Sequence, residues 1–264
     1  MDVFATEEYQ YRFGGIARLY GKKALELFSK TPVMVIGLGG VGSWTAECLV
    51  RSGFANVCLV DFDDICVSNT NRQLHTLKST IGHFKGDVLK SRFLEISPQA
   101  NIVYLDRRLD ELSIDEILSN RPSFVVDAID DANLKALLIS KTHQLGIDVV
   151  VSGASGGRRD PTKILARDLT QTIEDPLLSR VRKLLRQKYG FPRGQKKFQV
   201  PAVFSTEKAF YPMADGCVSQ EEASDMKGPM DCATGFGAVT HLTGSMGFML
   251  AGQLMDQLIK KAEL

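Results

Sequence analysis

No C-x-x-C pair occurs anywhere in the 264 residues, and the cysteines number five, an odd count. That excludes both a disulfide framework and a tetrathiolate zinc site, and it fits a reducing, cytoplasmic compartment. An excess of either charge is missing too. With a formal net charge of +1 nothing draws the whole molecule toward nucleic acid or an anionic membrane, so any such affinity rests on a local patch. Internal repeats and low-complexity tracts are absent. The acidic, aromatic segment Met1 to Phe13 has neither a basic n-region nor an apolar h-region and does not read as a secretory signal.

What is present is ordinary globular composition, 44% hydrophobic and 24% charged, in a chain long enough for one sizeable core. Two stretches stand out. Pro176 to Thr206 holds Arg180, Arg182, Lys183, Arg186, Lys188, Arg193, Lys196 and Lys197 and no acidic residue. Taken alone, such a run reads as a solvated helix face and loop. Ala233 to Met255 has no charged residue and is long enough to span a bilayer, yet its five glycines, four Ser or Thr residues and His241 suit a buried helix at a domain or subunit interface better than lipid. Peripheral membrane contact stays open.

Apolar runs and breakers alternate along the first half. Helical spacing over 21–29 stops at Thr31-Pro32, and strands are expected at 33–36, 57–60, 102–105, 124–129 and 148–152. Helices are expected at 43–52, 86–95 and 132–145. Beyond Gly153 the pattern loosens into a strand near 163–167, a helix near 175–189 and a long basic loop. Strands separated by helices predict an α/β fold: a Rossmann-like, mostly parallel sheet flanked by helices, with an elaborated C-terminal half. The chain reads as a single domain over 1–264. Its nucleotide-binding core covers 1–152, and the elaboration over 153–264 carries the basic crossover loop and the apolar C-terminal helix.

Gly37-Leu38-Gly39-Gly40-Val41-Gly42 succeeds a strand and opens a helix, the context a phosphate-binding loop requires. Without a Cβ, the backbone N–H groups at Gly37, Gly39, Gly40 and Gly42 can approach phosphates, and the helix N-terminus adds partial positive charge. Asp61 closes the second strand, where a carboxylate can accept hydrogen bonds from ribose hydroxyls. To this point in the chain a nicotinamide dehydrogenase would fit equally. The cluster Asp63, Asn69, Arg72, Gln73 and Lys85 has no task at a nicotinamide. Arg72 and Lys85 supply positive charge for a triphosphate, and the Asn69 and Gln73 amides can orient phosphate oxygens. Asp127-Ala128-Ile129-Asp130-Asp131 closes a further strand, so Asp130 is a candidate Mg²⁺ ligand, with helix capping by Asp130 or Asp131 as the plainer role.

G-L-G-G-V-G at 37–42, D-F-D-D at 61–64, N-x-N-R-Q at 69–73, Lys85 and D-A-I-D at 127–130 together resemble the ubiquitin-activating-enzyme-like (HesA/MoeB/ThiF) adenylating superfamily. Over the whole chain, R-F-G-G-I-A-R-L-Y-G at 12–21, V-F-S-T-E at 203–207 and M-D-C-A-T-G-F-G-A at 230–238 resemble its branch that dehydrates threonylcarbamoyladenosine in tRNA. The resemblance implies an ATP- and Mg²⁺-dependent enzyme that adenylates the substrate carboxylate beside the tRNA anticodon and lets it cyclise. It carries Asp61, Asn69, Arg72, Lys85 and Asp130 into the nucleotide site. It also implies a homodimer, with an arginine from the partner's N-terminal helix that is either Arg12 or Arg18, and a monovalent cation (K⁺ or Na⁺) whose ligands these residues do not place.

The resemblance has two further consequences. Sulfur-carrier adenylases of similar length carry two C-x-x-C pairs for structural zinc, so no zinc is expected here. Cys232, flanked by Asp231 and glycines, is a candidate acceptor of acyl or sulfur groups, with a packed cysteine the equal alternative. tRNA becomes the expected partner of the basic stretch, through Arg186, Lys188, Arg193, Lys196 and Lys197. Two alternative functions remain in view: adenylation of the C-terminus of a small ubiquitin-like sulfur carrier, and a sulfur relay alongside a cysteine desulfurase or a sulfur-acceptor protein.

Overall fold

The computed structural model describes residues 2–194, 196–213, 215–221 and 236–264. The chain begins with helices α1 (Glu7–Tyr20) and α2 (Lys22–Lys30) and enters the sheet at β1 (Pro32–Ile36). Then come α3 (Gly40–Arg51), β2 (Asn56–Asp61), α4 (Lys85–Ile96), β3 (Asn101–Asp106), the short α5 (Ile114–Leu118), β4 (Phe124–Asp127), α6 (Ala132–Leu145) and β5 (Asp148–Ser152). The C-terminal half adds β6 (Ile164–Asp168), α7 (Pro176–Lys188), β7 (Pro201–Ser205), a two-stranded ribbon of β8 (Tyr211–Pro212) and β9 (Val218–Ser219), and α8 (Thr240–Lys261).

Seven strands form one sheet in the order β3-β2-β1-β4-β5-β7-β6. All neighbours run parallel except β6, which is antiparallel to β7. The expected sheet is thus present, with one reversed edge strand. β1 reads as a continuous apolar run because both of its faces are covered. Val33 and Val35 enter a cluster with α1, α2, α3 and α8, whereas Met34 and Ile36 enter a cluster with α5, α6 and α7 on the other face. From β1 the chain moves outward to β2 and β3 and then returns to the other side of β1 at β4. The strand order reverses there, and a crevice opens above the C-terminal ends of β1 and β4.

From Thr240 the charge-free stretch lies in α8, packed on α3 within the same chain. Leu242, Met246, Leu250, Leu254 and Leu258 line its buried face at helical spacing, each contributing roughly 1.5–3 kcal/mol through burial. Gly247 permits the close approach, since a Cβ there would lie 2.7 Å from the Val41 carbonyl oxygen and 2.9 Å from Trp44 Cβ. Among the described residues no helix is long and apolar enough to cross a membrane. Two boundaries moved by more than one residue. The helix expected from residue 43 starts at Gly40, and the strand expected to reach Ile129 ends at Asp127, whose Oδ1 accepts the Ile129 N–H at 3.1 Å and turns the chain.

Candidate functional site

The glycine loop crosses from β1 into α3 at the crevice. Its glycines are not equivalent. Gly37 sits at φ +88°, and a Cβ there would meet the Ala128 carbonyl oxygen at 2.9 Å. A Cβ on Gly42 would lie 1.8 Å from the Gly37 carbonyl oxygen, so the turn closes only with glycine at that position. Gly40 lies against Thr243 and the Arg72 side chain, whereas Gly39 has nothing within 4 Å and leaves its backbone open to a ligand.

Asp61, at the tip of β2, anchors this loop. Its Oδ2 accepts the Leu38 N–H at 2.6 Å, and its Oδ1 accepts the Asp63 N–H at 2.9 Å. The expected ribose acceptor therefore spends part of its capacity inside the protein, although each carboxylate oxygen keeps a further lone pair. Lys85 is buried at the start of α4, with Nζ 2.7 Å from Asp63 Oδ2 and 3.9 Å from Asp61 Oδ1. The two carboxylates hold that ammonium beneath the loop.

Asn69 and Gln73 are both buried, each with its amide oxygen engaged. Asn69 Oδ1 accepts the Cys66 N–H at 3.0 Å, and Gln73 Oε1 lies 3.0 Å from His75 Nε2. Burial and the nearby Lys85 charge push the His75 pKa down to about 4, so the ring is neutral at pH 7. A neutral ring pairs with Gln73 Oε1 only by donating from Nε2, which leaves the Gln73 NH₂ as a donor with no partner among the described residues. Arg72 is half-buried, and its guanidinium donates to the Ser68 carbonyl at 2.8 Å and to Asn71 Oδ1 at 3.0 Å.

The backbone carrying Arg72 is clamped by residues that no motif announced. Trp44 Nε1 donates to the Arg72 carbonyl at 3.1 Å, and Thr243 Oγ1 reaches the same oxygen at 3.4 Å. Thr240 Oγ1 donates to the Asn71 carbonyl at 2.6 Å, while Asn71 Nδ2 donates to the Ala238 carbonyl at 2.8 Å. The first turn of α8 thus forms one wall of the site.

Across the crevice, Asp131 caps α6 by accepting the Asn133 and Leu134 N–H groups at 2.7 and 2.9 Å. Asp130 is exposed and accepts no hydrogen bond from the described residues, so its carboxylate is available to a cation. Below it, Asp127 and Lys135 form a fully buried ion pair.

Not every expected residue is drawn in. α1 is anchored near the N-terminal ends of the strands: Tyr9 donates to the Gly53 carbonyl, and Arg12 reaches the Ile96 carbonyl at 3.5 Å while pairing with Glu8. Neither Arg12 nor Arg18 makes a hydrogen bond to the glycine loop of its own chain. Cys232 lies outside the described residues. Arg186 and Lys188 ride on α7, and Arg193, Lys196 and Lys197 come after it in the exposed loop toward β7.

Comparison with known proteins is specific. The sequence profile of the ThiF family matches residues 14–264. A tRNA threonylcarbamoyladenosine dehydratase of Escherichia coli (strain K12) is 41% identical, over 99% of this chain and 98% of its own length. One of Bacillus subtilis (strain 168) is 32% identical over 92% of this chain and 93% of its own. A crystal structure of the E. coli tRNA N6-threonylcarbamoyladenosine dehydratase in complex with ATP superposes with a TM-score of 0.87 at 37% identity, covering 98% of each chain.

Proposed function

Since this chain belongs to the ThiF family, we infer from its similarity to the tRNA threonylcarbamoyladenosine dehydratases that it catalyses the ATP-dependent cyclisation of threonylcarbamoyladenosine in tRNA. The substrate carboxylate attacks the α-phosphorus of ATP and pyrophosphate leaves. A neighbouring urea atom then attacks the acyl carbon, AMP departs with the former carboxylate oxygen, and a proton is lost. The nucleoside is lighter by one water. Activation is needed because a carboxylate is a poor electrophile, and ring closure gains from enforced proximity.

The geometry supports a role for each residue. Gly39 and the start of α3 receive phosphates, and Arg72 with the Gln73 NH₂ meets the charge that develops during attack. Lys85 can pass from Asp63 to a phosphate oxygen with little movement. Asp130, uncapped and exposed at the tip of β4, would hold Mg²⁺, which when bound supplies charge neutralisation at the phosphate oxygens. Arg18 suits the partner-supplied arginine better than Arg12, because Arg12 is committed to Glu8 whereas Arg18 has no hydrogen bond or ion pair with the described residues. A homodimer is further supported by the outer face of α1, where Tyr11 and Leu19 stand 93% and 75% exposed beside Arg18. The basic residues Arg186, Lys188, Arg193, Lys196 and Lys197 face tRNA phosphates.

The observation that carries this reading is the placement of Lys85 and Arg72 under the open glycine loop, opposite the free Asp130. Incubation with ATP, Mg²⁺ and tRNA bearing linear threonylcarbamoyladenosine, with nucleoside mass spectrometry as the readout, should show loss of one water. An unchanged nucleoside mass with consumption of a ubiquitin-like carrier instead would reassign the enzyme to carrier adenylation.

A further inference from the structure

Away from the glycine loop, two cavities open along α7 and share Ser179 and Arg182 as a common wall. The outer one, about 430 Å³, is lined by Arg182, Lys183, Arg186 and Arg193 together with Ser179 and Gln187, with no carboxylate among its described lining residues. Its volume falls in the range of ligand pockets, roughly 300–1,000 Å³. Arg182 and Arg186 are held in place, whereas Lys183 and Arg193 are exposed, and none of the four forms an ion pair with the described residues. Arg182 donates to Thr172 Oγ1, and Arg186 lies over the Phe198 ring at 5.2 Å with Nε 3.4 Å from the Pro192 carbonyl. Desolvation, and then the neighbouring Arg186 charge, lowers the Arg182 pKa, with the Asp175 carboxylate of the adjoining cavity opposing that only in part. Grouping like charges this way costs stability unless an anion shares the site.

The inner cavity, about 370 Å³, has a different character. Arg158, Lys208, Glu174, Gln220 and the Tyr211 ring contribute to its wall. It lies beneath the loop that leaves β5, the strand next to β4, and so on the same edge of the sheet as Asp130. That loop is rigidly held. The buried Arg158 guanidinium donates to the Ala154 carbonyl at 2.7 Å and the Glu174 carbonyl at 2.7 Å, while Glu207 accepts the N–H groups of Arg159 and Asp160 at 2.8 and 2.9 Å. Close by, the Arg159 guanidinium stands 3.9 Å above the Phe210 ring. Cations next to flat rings are what an unpaired nucleic-acid strand needs, phosphates on one side and bases on the other.

We propose that this groove is the path of the single-stranded RNA segment flanking the modified adenosine, with Arg182, Lys183, Arg186 and Arg193 taking backbone phosphates and the cavity at Tyr211 taking one neighbouring base. The proposal rests on the dehydratase reading above and adds a recognition site to it. Arg182 and Arg186 are four residues apart on α7, about 6 Å along the helix axis, so successive phosphates can be met by successive turns. The inner cavity, with Glu174, Gln220 and the Tyr211 ring, offers carboxylate and amide partners for a base edge and a flat ring to stack on, whereas the outer cavity is dominated by its four cations.

The test is a titration of the full-length protein with modified tRNA from about 50 to 200 mM salt, for the wild type, R182Q/K183Q, K183Q/R193Q and Y211A. Both double variants should bind tRNA about tenfold more weakly at low salt and lose about 1–2 from the log–log salt slope, with ATP affinity unchanged. Y211A should raise the KM for modified tRNA about tenfold and leave the slope alone. Unchanged tRNA affinity and slope in K183Q/R193Q, whose two residues are exposed, would overturn the proposal. So would loss of affinity confined to R182Q/K183Q and accompanied by a lowered melting temperature. Loss of inorganic phosphate binding with intact tRNA binding would make the groove a small-anion site instead. A wild type that binds tRNA with a steep slope but leaves the nucleoside mass unchanged would refute the dehydratase reading and leave the groove standing.

Discussion

Lys135 Nζ lies 2.7 Å from Asp127 Oδ1 with both side chains fully buried, one turn into the helix that begins just past Asp130. The same ammonium reaches the Asp127 carbonyl at 3.2 Å, and Asp127 Oδ1 accepts the Ile129 N–H. This pair therefore fixes the turn that leads from β4 to Asp130. Desolvation pushes the Asp127 pKa up, against the opposing pull of the Lys135 charge and hydrogen bond. Lys135→Met should cost about 3–5 kcal/mol in chemical denaturation, because it strands a buried charge, and the double variant Lys135→Met/Asp127→Leu should recover much of that loss. A double variant no more stable than the single one would show that the pair is not the source of the penalty.

Gly39 and Gly42 should separate binding from folding. A methyl at Gly42 runs into the Gly37 carbonyl backbone, whereas one at Gly39 meets nothing within 4 Å in the free protein. Gly42→Ala is expected to lower the melting temperature by several degrees, as about 1–3 kcal/mol of overpacking requires. Gly39→Ala should melt with the wild type yet bind ATP at least about tenfold more weakly, since the methyl occupies the approach of the phosphates. Equal ATP affinity in Gly39→Ala would move the phosphates elsewhere.

His75 gives stability a pH dependence whose sign is fixed. Its pKa falls from 6.5 in the unfolded chain to about 4 in the fold, so the unfolded state takes up the proton first as pH drops. Its contribution is fully present above pH 6.5 and is lost between pH 6.5 and 4, in all about 3 kcal/mol. The difference in unfolding free energy between wild type and His75→Asn should therefore shrink by that amount from pH 7 to pH 4. A constant difference across the range would mean the ring is not held neutral, and with it the orientation of the Gln73 amide would lose its support.

Much of this architecture is legible in the sequence for a physical reason. Strands buried on both faces must be apolar throughout, so 33–36, 57–60 and 148–152 announce themselves, and a loop that must approach phosphates and close on its own carbonyl needs glycine at 37 and 42. The reversed direction of β6 is invisible, because an apolar run carries no sign of which way its neighbour points. Nor do Trp44, Thr240 and Thr243 stand out. Their task is to hold the carbonyls of Asn71 and Arg72, and a side chain capturing a distant backbone oxygen leaves no spacing to recognise. His75 is hidden likewise: only its burial and its bond to Gln73 distinguish it from any other surface-loop histidine. Asp61 is legible as a site residue, but its grip on the Leu38 N–H is a product of the folded loop.

Complementation between subunits decides between Arg12 and Arg18. Within one chain neither arginine hydrogen-bonds to the glycine loop, and the arginine proposed for the site is one supplied by a second copy. Arg18→Ala and Arg72→Ala should each abolish ATP–pyrophosphate exchange while melting as the wild type does, because both charges act on the transition state. If Arg18 works in trans, unfolding and refolding the two inactive variants together in equal amounts gives mixed dimers in which one site has both arginines intact. Random pairing then restores roughly a quarter of the wild-type exchange rate. Arg12→Ala should retain exchange, since its guanidinium is already paired with Glu8. No recovery in the Arg18→Ala and Arg72→Ala mixture, together with recovery when Arg12→Ala replaces Arg18→Ala, would assign the role to Arg12 and require the Glu8 pair to break when the dimer forms.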